Sequence, residues 1–357
     1  MRFFFFTKTD WTEPPRLRHQ MARLLANAGH EVIFFQRPYY LWQRLGKDFS
    51  GEQHIKLFRY RQLLHHKLRI NTVLHRFNAL FEKNQILSLM LEHCIDRNDV
   101  IVNFNYDYFY LKDIFRNNRL ITIINDDFWS NALGGYKRPL KWALIKTLQS
   151  SDVVLTVSLT LKNELSQFCS VELFYPWSNI RYKSPDLVST KSTILFWGYI
   201  NYRININFIS NLAKCLVDFS SNFKILFVGP NQDRSLISKI TCHENVRVYP
   251  SEDLENIDLS DVFLGLIPYR SGVRDVDVIT FPNKVLPLLS RGLPIAITGM
   301  PNFLSAPFVF RLDQGRDSDI ATLQFINKNF AQLQTSIRAF VDANDSDMRL
   351  KQFFSYL

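Results

Sequence analysis

The amino-acid sequence predicts an α/β protein of two doubly wound domains that face a central cleft. Two observations carry this expectation. Short runs of wholly apolar residues, the pattern of strands covered on both faces, recur between segments of helical period. A polar, aperiodic stretch from Ser178 to Ser192 interrupts the alternation, which then restarts.

The first run is Phe3–Phe6. A polar loop, Thr7 to Pro15, leads into Arg16–Ala28, where apolar residues at 17, 21, 24, 25 and 28 keep helical spacing and Gly29 offers the left-handed stop. Glu31–Gln36 is the second strand, and a strand–helix–strand crossover of this kind makes parallel neighbours. Val100–Phe104, Leu120–Ile124 and Ser151–Ser158 read as further strands, the last ending on a serine able to cap the next helix. After the break, strands are expected at Ser192–Trp197, Lys224–Val228, Val246–Tyr249, Val262–Ile267 and Pro294–Ile297. Helices are expected at Ile206–Phe219 and Asn283–Arg291, and Asp319–Leu357 has a helical pattern. The domains are therefore placed at 1–188 and 189–330, with helices over 331–357 packing back across the boundary.

Composition bounds the function. Of 357 residues, 46% are apolar and 21% charged, a globular balance, and only 12 Gly and 14 Pro exclude a collagen-like design. The four cysteines, Cys94, Cys169, Cys215 and Cys242, form no CxxC pair, which argues against a disulfide scaffold or structural zinc and for a reducing compartment. The N-terminal apolar run is too short for a signal-peptide core, and no stretch approaches the roughly 18 apolar residues of a spanning helix. We expect a cytoplasmic protein, with a peripheral seat on the inner face of the membrane compatible with its charge. The net charge of +10 suits nucleic acid, an anionic membrane or phosphate-bearing small molecules. Lys and Arg are spread over both halves without a nucleic-acid module, so no nucleic-acid partner is expected.

Three strand-end loops of the second half converge on one sheet edge, where ligands of doubly wound sheets bind. Trp197-Gly198 and Val228-Gly229 end strands on glycine, which lets backbone approach a ligand closely, and Arg203 adds a positive charge. The third loop runs from Pro268-Tyr269-Arg270 through Thr280-Phe281-Pro282-Asn283-Lys284. Thr280 or Asn283 is placed to cap the helix that follows, aiming its N–H groups and Lys284 at a diphosphate. The alternative is an ordinary capped surface helix.

These strings resemble GT-B glycosyltransferases. Phe281-Pro282-Asn283-Lys284-Val285-Leu286-Pro287-Leu288-Leu289-Ser290-Arg291-Gly292-Leu293-Pro294-Ile295 is similar to the P-x-K-x-x-E-Y-L-A-x-G-x-P-V segment of that family. Phe196–Ile200, Phe227–Pro230 and Asp261–Tyr269 fit the same pattern. Asp10-Trp11 with Arg16–Val32, Asn125–Trp129 and Ser151–Ser158 resemble the first domain of bacterial capsule, teichuronic-acid and lipopolysaccharide enzymes. The resemblance spans residues 1 to about 300. It implies two Rossmann-like domains, a nucleotide-sugar donor in the second and a saccharide or lipid-linked acceptor mainly in the first. By position, Gly198 and Arg203 would face the donor diphosphate, with Gly229 on the neighbouring turn. Tyr249 would lie near the base, Pro268, Tyr269 and Arg270 would line the sugar, and Phe281, Pro282, Asn283 and Lys284 would hold diphosphate and sugar. Trp11, Arg16 and Tyr106 would meet the acceptor. Positive charge would stabilise the departing phosphate without a metal, and no cofactor is implied. One departure matters: Pro287 stands where the family usually has a ribose-binding Glu.

Asp275-Val276-Asp277 has the D-x-D form that binds manganese in another glycosyltransferase fold, but in this frame a solvated acidic turn is expected. An inverting transfer needs a general base, and the candidates are Asp10, Glu13, Asp107, Asp126 and Asp127, of which Asp10, Asp107 and Asp127 are preferred. His54–Phe77 carries Lys56, Arg59, Arg61, Lys67, Arg69 and Arg76 with four histidines, and Leu57, Leu64 and Leu68 would form one stripe of a basic helix suited to anionic lipid. The expected function is sugar transfer in bacterial envelope polysaccharide synthesis. A nucleotide-sugar epimerase and a non-catalytic nucleotide- or polysaccharide-binding scaffold are the alternatives.

Overall fold

The computed structural model describes residues 1–13, 16–43, 52–65, 68–69, 71–92, 95–129, 136–187, 191–219, 222–230 and 234–357. The chain divides into two compact units: Met1–Tyr175 with Leu350–Leu357, and Pro176–Arg349.

Unit 1 contains β1 (Arg2–Phe6), α1 (Leu17–Asn27), β2 (Glu31–Phe35), β3 (Tyr39–Tyr40), β4 (Ile55–Phe58), β5 (Arg61–Gln62), α2 (Thr72–Glu92), β6 (Val100–Asn103), α3 (Leu111–Ile114), β7 (Arg119–Ile124), α4 (Lys137–Ser150), β8 (Val153–Thr156), α5 (Leu159–Leu165) and β9 (Glu172–Leu173). Its main sheet is parallel throughout, in the order β4-β2-β1-β6-β7-β8-β9, with β3 and β5 paired separately. The apolar run of β1 occupies the middle because both of its faces are buried. Phe4 and Phe6 enter a core with Tyr108, Phe115, Ile86 and Met90, while Phe5 meets Phe34 and Phe104 on the other face. Gly29 ends α1 at φ +83°, and the Ser158 hydroxyl accepts the Leu161 N–H at 3.2 Å, capping α5.

Unit 2 contains β10 (Thr193–Trp197), α6 (Ile206–Phe219), β11 (Lys224–Val228), α7 (Arg234–Ile240), β12 (Val246–Tyr249), β13 (Val262–Pro268), α8 (Arg274–Asp277), α9 (Val285–Ser290), β14 (Ile295–Thr298), β15 (Val309–Arg311), α10 (Arg316–Lys328) and α11 (Phe330–Ala343). The last helix, α12 (Ser346–Phe354), starts in unit 2 and ends in unit 1. The sheet is again parallel, ordered β12-β11-β10-β13-β14-β15. Strand order reverses between β1 and β6 in unit 1 and between β10 and β13 in unit 2. These switch points are where doubly wound sheets open a crevice at their carboxyl ends.

Three expectations change. The seam falls between Tyr175 and Pro176, because Trp177 and the extended segment after it pack with unit 2; the expected limit at 188 lies outside the described residues. Of 331–357, only Leu350–Leu357 joins unit 1, held by Phe353 and Phe354 against Phe3. His54–Phe77 is not a basic helix: 55–58 is β4, 61–62 is β5, and α2 begins at Thr72. Its cations are engaged elsewhere, Lys56 with Glu31, Arg59 with Asp10 and Arg69 in the interior. His66 and Lys67 lie outside the described residues.

Candidate functional site

At the switch point of unit 2 the sequence-distant loops meet. Gly198 follows β10 at φ +137° and Gly229 follows β11 at φ +156°. A Cβ on Gly229 would stand 2.0 Å from the Gly198 carbonyl oxygen, so the two turns touch backbone to backbone. The Gly198 N–H donates to Val228 and the Gly229 N–H to Tyr249, which fixes the three strand ends as one platform. Across it, the Lys284 ammonium lies 4.3 Å from the Phe196 ring centre and 5.2 Å from that of Tyr269. The same ammonium would be 2.7 Å from a Cβ on Gly198, so a side chain there would push the lysine tip aside. Lys284 is the residue preceding α9, and no side chain caps that helix, so neither Thr280 nor Asn283 acts as expected.

The loop after Gly198 is zipped to the one after β13. The Arg270 N–H donates to the Arg203 carbonyl at 2.8 Å, and Ile204 bridges Tyr269. Arg203 Nε donates to Asp275 Oδ2 at 2.7 Å, and the Tyr202 hydroxyl donates to the same oxygen. Asp275 is therefore an ion-pair partner on α8 and not a solvated turn residue. Burial works against the Arg203 charge, but Tyr202 and Asp275 more than compensate, and its pKa lies above the ordinary value.

Gly198, Arg203, Gly229, Tyr249, Pro268, Tyr269, Arg270 and Lys284 are thus brought together. Tyr249 and Arg270 are exposed, Pro268 and Tyr269 buried. Asn283 is exposed and Pro282 half-buried beside Lys284, whereas the Phe281 ring packs against Phe303 and Phe340 in the core. Beside Tyr249 an apolar trough of about 500 Å³ runs down the sheet past Pro250, Val228, Leu226 and Arg247 to Lys224. It exists because the return from β12 to β13 crosses the face opposite α6 and α7, and residues 250–261 make that crossing without a helix. Sequence reasoning missed Phe196 as a wall for Lys284 and the Arg203–Asp275 pair. A D-x-D inside the predicted cationic loop, five residues after Arg270, was the available signal.

Unit 1 arranges its candidates differently. Asp107, expected as a base, is buried. Lys8 binds it, and Arg69 Nη1 donates to its Oδ2 at 2.6 Å. Burial would raise its pKa, but these two cations outweigh burial and hold it well below the usual carboxylate range. A carboxylate so held is a structural counter-ion and a poor proton acceptor, so Asp107 leaves the list of bases. Arg69 also contacts Glu82 at 3.5 Å and Gln62 at 3.0 Å, and Tyr110 donates to Glu82 at 2.6 Å.

Asp10 sits beyond β1, half-buried, 3.0 Å from Arg59 and 3.8 Å from Arg37. Glu13 pairs with Arg37 and Arg16. Beyond β7, Asp126 is exposed and Asp127 buried. Trp11 lies between Arg23 and the Phe34 ring, and Tyr106 packs on Phe128. His19 accepts the Arg16 N–H at Nδ1 and faces the Asp10 carbonyl through Nε2 at 3.2 Å. Burial lowers its pKa to about 4, so it serves as a neutral brace for the Asp10 loop. Arg18, in the first turn of α1, was missed: it is only 6% exposed, and burial lowers its pKa to about 10. Among the described residues no group of His, Cys, Asp and Glu could hold a metal, and no helix is long and apolar enough to cross a membrane.

No family model and no curated protein sequence matches the chain. Solved structures do. It is similar over its whole length to the lipopolysaccharide outer core galactosyltransferase WaaB (12% identity, 100% of this chain and 99% of that one, TM-score 0.64). It is similar to HepE of Anabaena in complex with UDP (11%, 99% and 98%, 0.67), and to sucrose-phosphate synthase of Thermosynechococcus elongatus (12%, 99% and 97%, 0.66). At such identities the likeness is one of fold, and two Rossmann-like units in this order are the GT-B fold that the sequence predicted.

Proposed function

We propose that the chain is a nucleotide-sugar-dependent glycosyltransferase of envelope polysaccharide synthesis, acting on a saccharide or lipid-linked acceptor. The observation that supports it most is the platform of Gly198 and Gly229 under the Lys284 ammonium. Bare backbone at the ends of two strands leaves room for a diphosphate, and Lys284 and Arg203 supply charge where negative charge grows as the nucleotide departs. The charge comes from side chains, and Asp275 is already engaged by Arg203, so the reading is metal-independent. Tyr249 at the mouth of the trough suits stacking on a base. In unit 1, Asp10 is the base of choice, since Asp107 is sealed by Lys8 and Arg69. The WaaB structure is of a lipopolysaccharide enzyme and the HepE structure holds UDP, which makes UDP the first nucleotide to try.

A thermal-shift panel of UDP, GDP, ADP, TDP, CMP and CDP, with and without EDTA, tests this. One nucleotide is expected to raise the melting temperature, by an amount EDTA leaves unchanged, and Lys284→Gln is expected to remove most of the rise. No shift with any of them sinks the donor site. Pro287, which offers no acceptor to ribose hydroxyls, favours one second reading, a non-catalytic nucleotide-binding scaffold. Release of free nucleotide from a nucleotide sugar only when acceptor is present separates the two.

A further inference from the structure

Helix α2 is apolar on two opposite sides. Inward, Ala79, Ile86 and Met90 join the core of unit 1. Outward, Val73, Phe77, Leu80 and Leu87 are exposed by 69, 58, 61 and 36%, at spacings that align them along one side of a helix. An apolar stripe of this length on the outward side of a helix marks an interaction surface. Beside it lies α4: the Arg76 guanidinium of α2 stands 5.4 Å from the Trp142 ring centre, and Phe109 packs edge-on to the same ring. Helix α4 carries exposed Lys137, Arg138, Lys141 and Lys146 and no acidic residue.

We propose that the α2–α4 face of unit 1 docks on an anionic membrane surface. The α2 stripe enters the boundary between headgroups and acyl chains, and the α4 cations meet the headgroups. Charge complementarity selects this occupant: basic side chains flanking an apolar stripe are what anionic lipid binds. A second copy of the chain fits poorly, because a two-fold contact lays one patch on itself and sets the α4 cations against their own counterparts. This surface replaces the one expected from His54–Phe77. It serves the lipid-linked form of the acceptor reading, but its test needs neither donor nor turnover, so either can fail alone.

The test is co-sedimentation of the full chain with vesicles of phosphatidylcholine alone and of phosphatidylcholine with phosphatidylglycerol, at about 50 and about 500 mM salt. Binding to the anionic vesicles at low salt is expected, weakened at least about tenfold by high salt or by omitting phosphatidylglycerol. Phe77→Ser with Leu80→Ser, and separately Arg138→Glu with Lys146→Glu, are each expected to weaken it at least about tenfold at unchanged melting temperature. Absence of binding at low salt overturns the proposal, as does binding that neither pair of substitutions alters. Self-association abolished by the α2 substitutions, with no vesicle binding, overturns it in favour of a second copy.

Discussion

Two arginines show how the units differ. Arg69, between β5 and α2 in unit 1, is 2% exposed and meets two carboxylates, a glutamine and a backbone carbonyl. Arg203, beyond β10 in unit 2, keeps a side chain 35% exposed and meets one carboxylate. One charge is spent inside the fold, and the other keeps solvent access beside the strand-end glycines. A doubly wound sheet thus does not by itself make an anion site. The anion site proposed for unit 2 lies where glycines clear the strand ends and the cations retain access.

Three experiments break or sharpen this contrast. The largest effect is expected from Asp10→Asn, which should lower transfer by about 10²–10⁴-fold, the usual share of a general base, while leaving the nucleotide-induced thermal shift intact. Unchanged turnover would remove Asp10 and favour a mechanism without a base in unit 1. Next is Arg69→Met, which leaves Asp107 and Glu82 short of a buried partner. Urea unfolding of unit 1 should lose about 3–5 kcal/mol, whereas nucleotide binding by unit 2 should survive in mild conditions. A loss within error of zero would mean that water or Lys8 already balances these carboxylates.

The smallest effect per residue is one of pH. Burial lowers His19 and His75 to about 4 from an ordinary 6.5, and both belong to unit 1. Between those values the unfolded chain binds protons that the folded one refuses. Stability should therefore be full above about pH 6.5 and fall towards pH 4, by up to about 3 kcal/mol per histidine. Hydrogen exchange read segment by segment from pH 7 to about 4.5 should show unit 1 loosening first. Uniform loosening of both units would contradict the assignment.

The strands were legible because a strand covered on both faces leaves an uninterrupted apolar string, as Phe3–Phe6 and Val262–Ile267 do. The meeting of the glycine turns with Lys284 was legible because strand-end loops of a doubly wound sheet converge at its switch point. What escaped was non-local. Nothing near Asp107 in the sequence announces Arg69, 38 positions away, so a carboxylate among aromatics looked like a base. The basic residues of 54–77 suggested one helix because charge density was read without the strand partners that β4 and β5 find in β2 and β3.

The placement of Leu350–Leu357 has a consequence for how the protein is made. Phe353 packs on Phe3 and Phe174, Phe354 on His30, and the Tyr356 carbonyl accepts from Arg119. These residues are translated only after the whole of unit 2. The contacts that close unit 1 along β1 and β7 therefore wait on residues that follow unit 2 in the chain, so unit 1 cannot be finished as an independent first half.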